Sequence, residues 1–204
     1  MMHPELNHVE VRGMTRGAFI LRGALATGAL YGVGAVAPYV SGALGAVGQS
    51  DVRILEFALS LEQLESAFYK AALANAGLTG QAQKIATAFG AHEDEHVAAI
   101  GQLLTQLGSK PAAPPKVKFG LKDQASFFKL AVTLEDTGIG AYNGAGPLLS
   151  TPDLISALGS IVQIEGRHSG ALRMMTGQDP APQAFDKPLP PAVVTSRVQP
   201  YITG

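Results

Sequence analysis

Apolar residues recur at helical spacing in four stretches of this chain, separated by turn-forming residues. Beyond Asp51, Ile54, Leu55, Ala58, Leu61, Leu64, Phe68 and Ala72 fall on one stripe, which predicts a helix ending at Asn75-Ala76-Gly77. A second helix is predicted from about Thr79 and Gly80 through Ile85, Phe89, His96, Val97, Ile100 and Leu103 to about Gly108. Pro111, Pro114 and Pro115 then exclude helix, and the chain runs extended to Asp123, which suits the N-cap of a third helix through Phe127, Leu130, Leu134 and Tyr142. Thr151-Pro152-Asp153 supplies a cap, an N1 proline and a first-turn acid for a fourth helix that stops at Gly177. Residues 178–204 carry Pro180, Pro182, Pro188, Pro190, Pro191 and Pro200 and are expected as an extended strap over the bundle.

Loop lengths choose the topology. Short joins between helices one and two and between three and four force antiparallel hairpins. The middle join has about 14 residues, which at ~3.3 Å each reach ~45 Å, enough to travel the length of a bundle. The expectation is an all-α four-helix bundle over 51–177, with one long crossover between the second and third helices.

The first 50 residues differ in kind. No charged residue occurs from Gly23 to Ser50, and Arg12, Arg16 and Arg22 precede that apolar, Gly- and Ala-rich stretch. Basic-then-apolar order, with small residues around Ala43 to Gly48, marks an export signal or membrane anchor. TRGAFILRGAL is similar to a twin-arginine signal in its moderate hydrophobicity, although Arg16 and Arg22 stand apart. The expected location is the periplasm or cell envelope, with membrane contact through 17–50; an N-terminal helix docked in a cytoplasmic protein is the alternative.

Composition narrows the chemistry. The 204 residues, 47% hydrophobic and 15% charged, suffice for one well-buried domain with appendages. A net charge of -1 gives no electrostatic basis for a nucleic-acid partner. With no cysteine, any metal must be held by nitrogen and oxygen.

Candidate ligands appear in a repeated pattern. Helix one contains L-E-Q-L-E-S-A-F-Y at 61–69 and helix three L-E-D-T-G-I-G-A-Y at 134–142, each with Tyr seven residues after Glu. Helix two contains E-D-E-H at 93–96 and helix four E-G-R-H at 165–168. The separations 93 − 62 = 31 and 165 − 135 = 30 are nearly equal, as duplication of a helical hairpin would produce. On an antiparallel hairpin, residues share a height when the turn lies midway between them. The midpoints, 77.5 for Glu62 and Glu93 and 150 for Glu135 and Glu165, both fall on turns assigned on other grounds. Within each E-x-x-H the side chains share a helix face, so four carboxylates and two imidazoles are expected to converge at mid-bundle, a set suited to two bridged metal ions. An ionised Glu facing apolar neighbours is expensive without a compensating cation. Glu65 also faces inward, and Gly138 stands at its place in helix three, which makes it an additional, asymmetric ligand or a proton relay. Tyr69 and Tyr142 are candidates for outer hydrogen-bond donors or redox groups, with plain core packing as the alternative.

Glu, E-x-x-H, Glu, E-x-x-H over residues 51–176 resembles the ferritin-like di-iron and di-manganese carboxylate proteins. LSLEQLESAFY, HEDEH and IEGRH look like the bacterial and fungal ferritin-like proteins related to plant desiccation proteins, which are often exported. The resemblance implies a ferritin-like bundle with two iron or manganese ions on Glu62, Glu93, His96, Glu135, Glu165 and His168. It implies no single reaction, since relatives include ferroxidases, manganese catalases, peroxide reductases and oxygenases; from the paired-metal site itself the expectation is redox chemistry on dioxygen or hydrogen peroxide, of ferroxidase or catalase-like type, in stress protection, with a homo-oligomer as the compatible assembly.

Two other readings compete. His92-Glu93-Asp94-Glu95-His96 matches the zinc-peptidase pattern H-E-x-x-H, with Glu93 as base. Against it, the second hairpin has Ile164 where His92 would be, and the other three acids and His168 are left unexplained. The remaining reading is a non-catalytic, desiccation-related structural bundle that keeps a metal for stability.

Overall fold

The computed structural model describes residues 10–11, 14–15 and 49–203. Two compact units make up the chain, Met1–Gly42 and Ala43–Gly204. In the first, β1 (Glu10–Val11) pairs antiparallel with β2 (Met14–Thr15). The expected export or anchor segment within 1–50 otherwise lies outside the described residues, and no helix among those described is long and apolar enough to cross a membrane.

The second unit is the all-α bundle expected from the sequence: α1 (Gln49–Asn75), α2 (Gly80–Gln106), α3 (Gln124–Ala145) and α4 (Pro152–Met175). α1 packs on α2 and α3 on α4 as hairpins, and α1 also meets α3. Asp123 caps α3 through a capping box, accepting from the Ser126 amide at 2.8 Å while Ser126 Oγ accepts from the Asp123 amide at 3.0 Å. Gly108 and Gly177, at φ +76° and +71°, end α2 and α4. The following amides bond back, Ser109 to the Leu104 carbonyl and Gln178 to the Arg173 carbonyl, both at 2.9 Å, as left-handed caps require.

Thr151 occupies the N-cap of α4 with Pro152 at N1, but its side chain does not cap the helix. Its hydroxyl donates instead to Asp51 Oδ2 at 2.7 Å, and Ser150 gives Asp51 its amide at 3.0 Å and its hydroxyl at 2.8 Å. This buried carboxylate ties the first turn of α1 to the α3–α4 join.

The crossover alternates strictly from Lys116 to Lys122: Val117, Phe119 and Leu121 turn toward the core, and Lys116, Lys118 and Lys122 face solvent. It pairs with the C-terminal end, the Lys118 amide donating to the Tyr201 carbonyl at 2.9 Å and the Thr203 amide to the Lys116 carbonyl at 2.8 Å.

One expectation needs correction. The strap is extended only as far as Pro190; Pro191–Val198 form helix α5, followed by a 3-10 turn at Gln199–Tyr201. Pro191 at N1 starts the helix, and Val194 and Val198, one turn apart, are buried against the bundle. Upstream, the Leu189 amide donates to the Gly140 carbonyl at 2.8 Å. A Cβ on Gly144 would lie 2.3 Å from the Leu189 carbonyl oxygen, and one on Gly140 2.6 Å from the Leu189 side chain. The two glycines are the groove in α3 that seats the strap.

Apolar layers lie on both sides of mid-bundle. Toward one end are Phe68, Phe127, Ala131 and Leu172, with the Phe68 and Phe127 rings stacked at 5.8 Å. Toward the other end Leu55, Leu59, Ile100, Leu104, Leu154 and Leu158 are buried. Polar groups held between them are shut off from bulk water.

Candidate metal centre

Between these layers the six residues of the repeated pattern converge. Glu62 comes from α1, Glu93 and His96 from adjacent turns of α2, Glu135 from α3, and Glu165 and His168 from adjacent turns of α4. All are buried, His96 being the most accessible at 8%. Hairpin arithmetic thus located the heights at which the helices bring their acids together.

Contacts among the six divide them by role. Glu93 reaches both histidines, Oε2 lying 3.2 Å from His96 Nδ1 and Oε1 3.1 Å from His168 Nδ1. Glu165 does the same, at 3.1 Å from His96 and 3.7 Å from His168. Glu62 meets only His96, at 3.1 Å, and Glu135 only His168, at 3.3 Å. The result is two groups that share two members: Glu62, Glu93, Glu165 and His96; and Glu93, Glu135, Glu165 and His168. In each, one atom from every residue lies within 4.8 Å of the others.

The tyrosines complete the exchange. Tyr69 of α1 donates to Oε1 of Glu135 on α3, and Tyr142 of α3 donates to Oε1 of Glu62 on α1. Each terminal carboxylate therefore has one oxygen fixed by a phenol and the other, Oε2, turned to the histidine. Gly90 permits this on the Tyr69 side, because a Cβ there would come within 2.9 Å of Tyr69 Cβ.

Proximity has not satisfied every polar atom of the cluster. Glu93 Oε1, Glu135 Oε2, both oxygens of Glu165 and Nδ1 of His168 are buried with no properly directed partner, although opposed atoms approach within 4 Å. Buried polar atoms are rarely left so. Unpartnered polar atoms gathered within 4.8 Å of one another fit cations seated between them, and imidazole with carboxylate is a donor set for first-row transition metals. The residues present fit a metal centre.

Protons occupy that role in the metal-free protein. Burial, reinforced by the Glu165 charge, pushes Glu62 up to about 8 and Glu135 well above the usual carboxylate range. Burial also acts against charge on the histidines, but carboxylate contacts outweigh it, those from Glu165 and Glu62 raising His96 to about 12 and those from Glu135 and Glu165 raising His168 to about 11. For Glu165, burial is overcome by His168 and His96, which pull it down to about 2, and Glu93 is lowered by the same two. The shifts thus favour the ionised form of Glu93, Glu165 and both imidazoles and the uncharged form of Glu62 and Glu135.

Glu65 sits outside both groups. It is 3% exposed, its Oε2 has no hydrogen-bond partner, and burial together with the Glu165 charge pushes it well above the usual range. A Cβ on Gly138 would meet Glu65 Oε1 at 3.2 Å, so the missing side chain in α3 is the room that Glu65 fills. Asp136 accepts from Ser169 at 2.6 Å and pairs with Arg173. Asp94 does likewise with Ser66 and Lys70, both at 2.6 Å, so each hairpin carries a Ser-Asp-cation clasp beside the cluster. Nothing in the repeated ligand pattern announces these clasps; the spacing of four between Ser66 and Lys70, and between Ser169 and Arg173, is their signal in the sequence.

A family model described as the ferritin-like domain matches residues 50–178, more than half of the chain. The chain belongs to the ferritin-like domain family. The match takes in all four helices of this ferritin-like bundle and stops where the strap begins. No curated protein matches the chain.

For this ferritin-like chain the zinc-peptidase geometry is not formed. An H-E-x-x-H site needs His92 and His96 on one ion, but His92 belongs to neither ligand group. It lies on the outer side of His168, its Nδ1 2.9 Å from Nε2.

Proposed function

We propose that this ferritin-like protein binds two redox-active divalent ions, iron or manganese, and reacts with dioxygen or hydrogen peroxide as a ferroxidase or catalase-like protein in stress protection. The observation that carries the proposal is the sharing of Glu93 and Glu165 between two otherwise separate ligand groups. Carboxylates common to two groups hold two cations as a pair rather than as independent ions.

In this reading Glu62 and His96 would hold one ion and Glu135 and His168 the other, with Glu93 and Glu165 available to both. Two such ions supply one electron each, the number needed to cleave an O–O bond. The protein's own contribution is positional. Tyr69 and Tyr142 hold the terminal carboxylates with a single oxygen free, and the apolar layers exclude water from the centre. Glu65, whose carboxyl burial pushes well above the usual range beside the cluster, would serve as a proton relay within the dry core. The uncharged stretch from Gly23 to Ser50, preceded by arginines, supports export or membrane anchoring as the setting.

The test is to load the full chain with Fe(II) or Mn(II) and measure ferrous oxidation by dioxygen and disproportionation of hydrogen peroxide. Turnover by one loaded form, abolished in Glu93→Ala, is the expected result. Two bound ions without turnover in either assay would replace the enzymatic reading with that of a metal-stabilised structural bundle.

A further inference from the structure

His92 is left over when the ligand groups are complete, and its surroundings give it a different task. The His92 and His168 rings are nearly parallel, 6° apart with centroids at 5.2 Å, and Nδ1 of His92 lies 2.9 Å from Nε2 of His168. Phe89 stacks on His168 at 3.9 Å and 21°. His168 is thus held on one face by Phe89 and at its outer nitrogen by His92, while its Nδ1 faces Glu93, Glu135 and Glu165.

We infer that His92 is a positioning residue for His168, and that it makes the two halves of a duplicated metal centre inequivalent. For Nδ1 of His168 to offer a lone pair inward, the single proton of the neutral ring must sit on Nε2. That proton needs an acceptor, and Nδ1 of His92 stands at hydrogen-bonding distance with its own proton outward on Nε2. An outer hydrogen bond of this kind fixes the tautomer and rotation of a ligating imidazole and raises its basicity.

The other half has nothing equivalent. In the duplicated hairpin Ile164 takes the place of His92 and Ile161 that of Phe89. Among the described residues, none hydrogen-bonds to Nε2 of His96, whose Nδ1 is engaged by Glu62 and Glu93. The Glu135–His168 position therefore has a ligand locked by a second imidazole, and the Glu62–His96 position has one locked only by its carboxylates. His92 is itself exposed, so the lock is reached from solvent. The H-E-x-x-H string is then one ligand pair, Glu93 and His96, joined to the support of a ligand on a different helix.

The inference rests on the metal reading above, and the test separates their failures. Cobalt(II) is titrated into the full chain, its visible absorption reporting each occupied position, for the wild type, His92→Ala, His92→Asn and Ile164→Ala. The wild type is expected to take up two equivalents. His92→Ala should weaken one of them by roughly 10–100-fold and leave the other unchanged. Asn places an acceptor oxygen close to the Nδ1 position, so His92→Asn should recover most of the loss, and Ile164→Ala should weaken neither. Since His92→Ala also removes the partner of His168 Nε2 in the metal-free protein, its melting temperature should fall only by what one hydrogen bond contributes, with helical content unchanged; a loss of helical content would overturn a positioning role. Two equivalents unaffected, or weakened equally, in His92→Ala would overturn the inference while leaving the centre intact. No cobalt uptake by the wild type would remove the metal reading and this inference together.

Discussion

Tyr142 on α3 donates its phenolic proton to Oε1 of Glu62 on α1 and leaves Oε2 to face His96. The bond crosses the bundle between helices in different hairpins, and Tyr69 with Glu135 repeats it in the opposite sense. Tyr142→Phe removes the donor from a fully buried acid, which costs about 1–3 kcal/mol of stability. It also frees the carboxylate to rotate, so affinity for one ion should fall by roughly 10–100-fold. Thermal unfolding of the metal-free protein and metal titration of the variant check the two effects separately.

Metal uptake should release protons. Without metal, the shifts favour ionised Glu93 and Glu165 (−2), protonated His96 and His168 (+2) and uncharged Glu62 and Glu135, a sum of zero. Four ionised carboxylates with two divalent ions, −4 + 4, also sum to zero. The exchange discards about four protons, from Glu62, Glu135, His96 and His168. Because these groups hold their protons more tightly than in the unfolded chain, protons compete with metal. Affinity should therefore fall steeply as pH is lowered from roughly 8 to 6. Calorimetric titration in buffers of different ionisation enthalpy measures the release; a count near zero would contradict the assignment of these four as ligands.

Asp51 should matter to stability in a pH-dependent way. Burial pushes its carboxyl up, but the amide of Ser150 and the hydroxyls of Thr151 and Ser150 outweigh it and hold it below its usual value. With the folded value depressed, the stabilisation is complete above the unfolded value of 3.8 and is lost as pH falls through the folded one. Asp51→Ala should cost about 2–3 kcal/mol at neutral pH. The gap in Tm between wild type and variant should narrow toward pH 3, a trend that parallel thermal melts would show or refute.

Much of this was legible in the sequence because it depends on local rules. Helical periodicity placed the stripes, and the requirement that antiparallel partners straddle their turn put Glu62 level with Glu93 and Glu135 level with Glu165. What local rules cannot supply is the pairing between hairpins. The Tyr142–Glu62 bond spans 80 residues and the Thr151–Asp51 bond 100, and neither has a spacing to betray it. Helix α5 was hidden by the prolines around it, although Pro191 followed by eight residues free of Pro and Gly was a readable start signal. Gly140 and Gly144 had no evident purpose until Leu189 was seen against them.

That groove gives a prediction of sign. In an isolated helix Gly→Ala gains up to about 1 kcal/mol, but a Cβ on Gly144 meets the Leu189 carbonyl oxygen at 2.3 Å. Gly144→Ala should therefore destabilise the protein and expose residues 178–190 to limited proteolysis. A variant that melts higher, with the strap cleaved no faster than in the wild type, would show that the contact is unimportant.

Whether two metal positions share Glu93 and Glu165 is decided by metal content together with anomalous diffraction on the full chain, beside a Glu62→Ala/Glu135→Ala double variant. The account predicts about two iron or manganese ions per chain, both lying between Glu93 and Glu165, and lost in the double variant. A single zinc ion on His92 and His96 that survives the double substitution, or no metal after reconstitution, would contradict it.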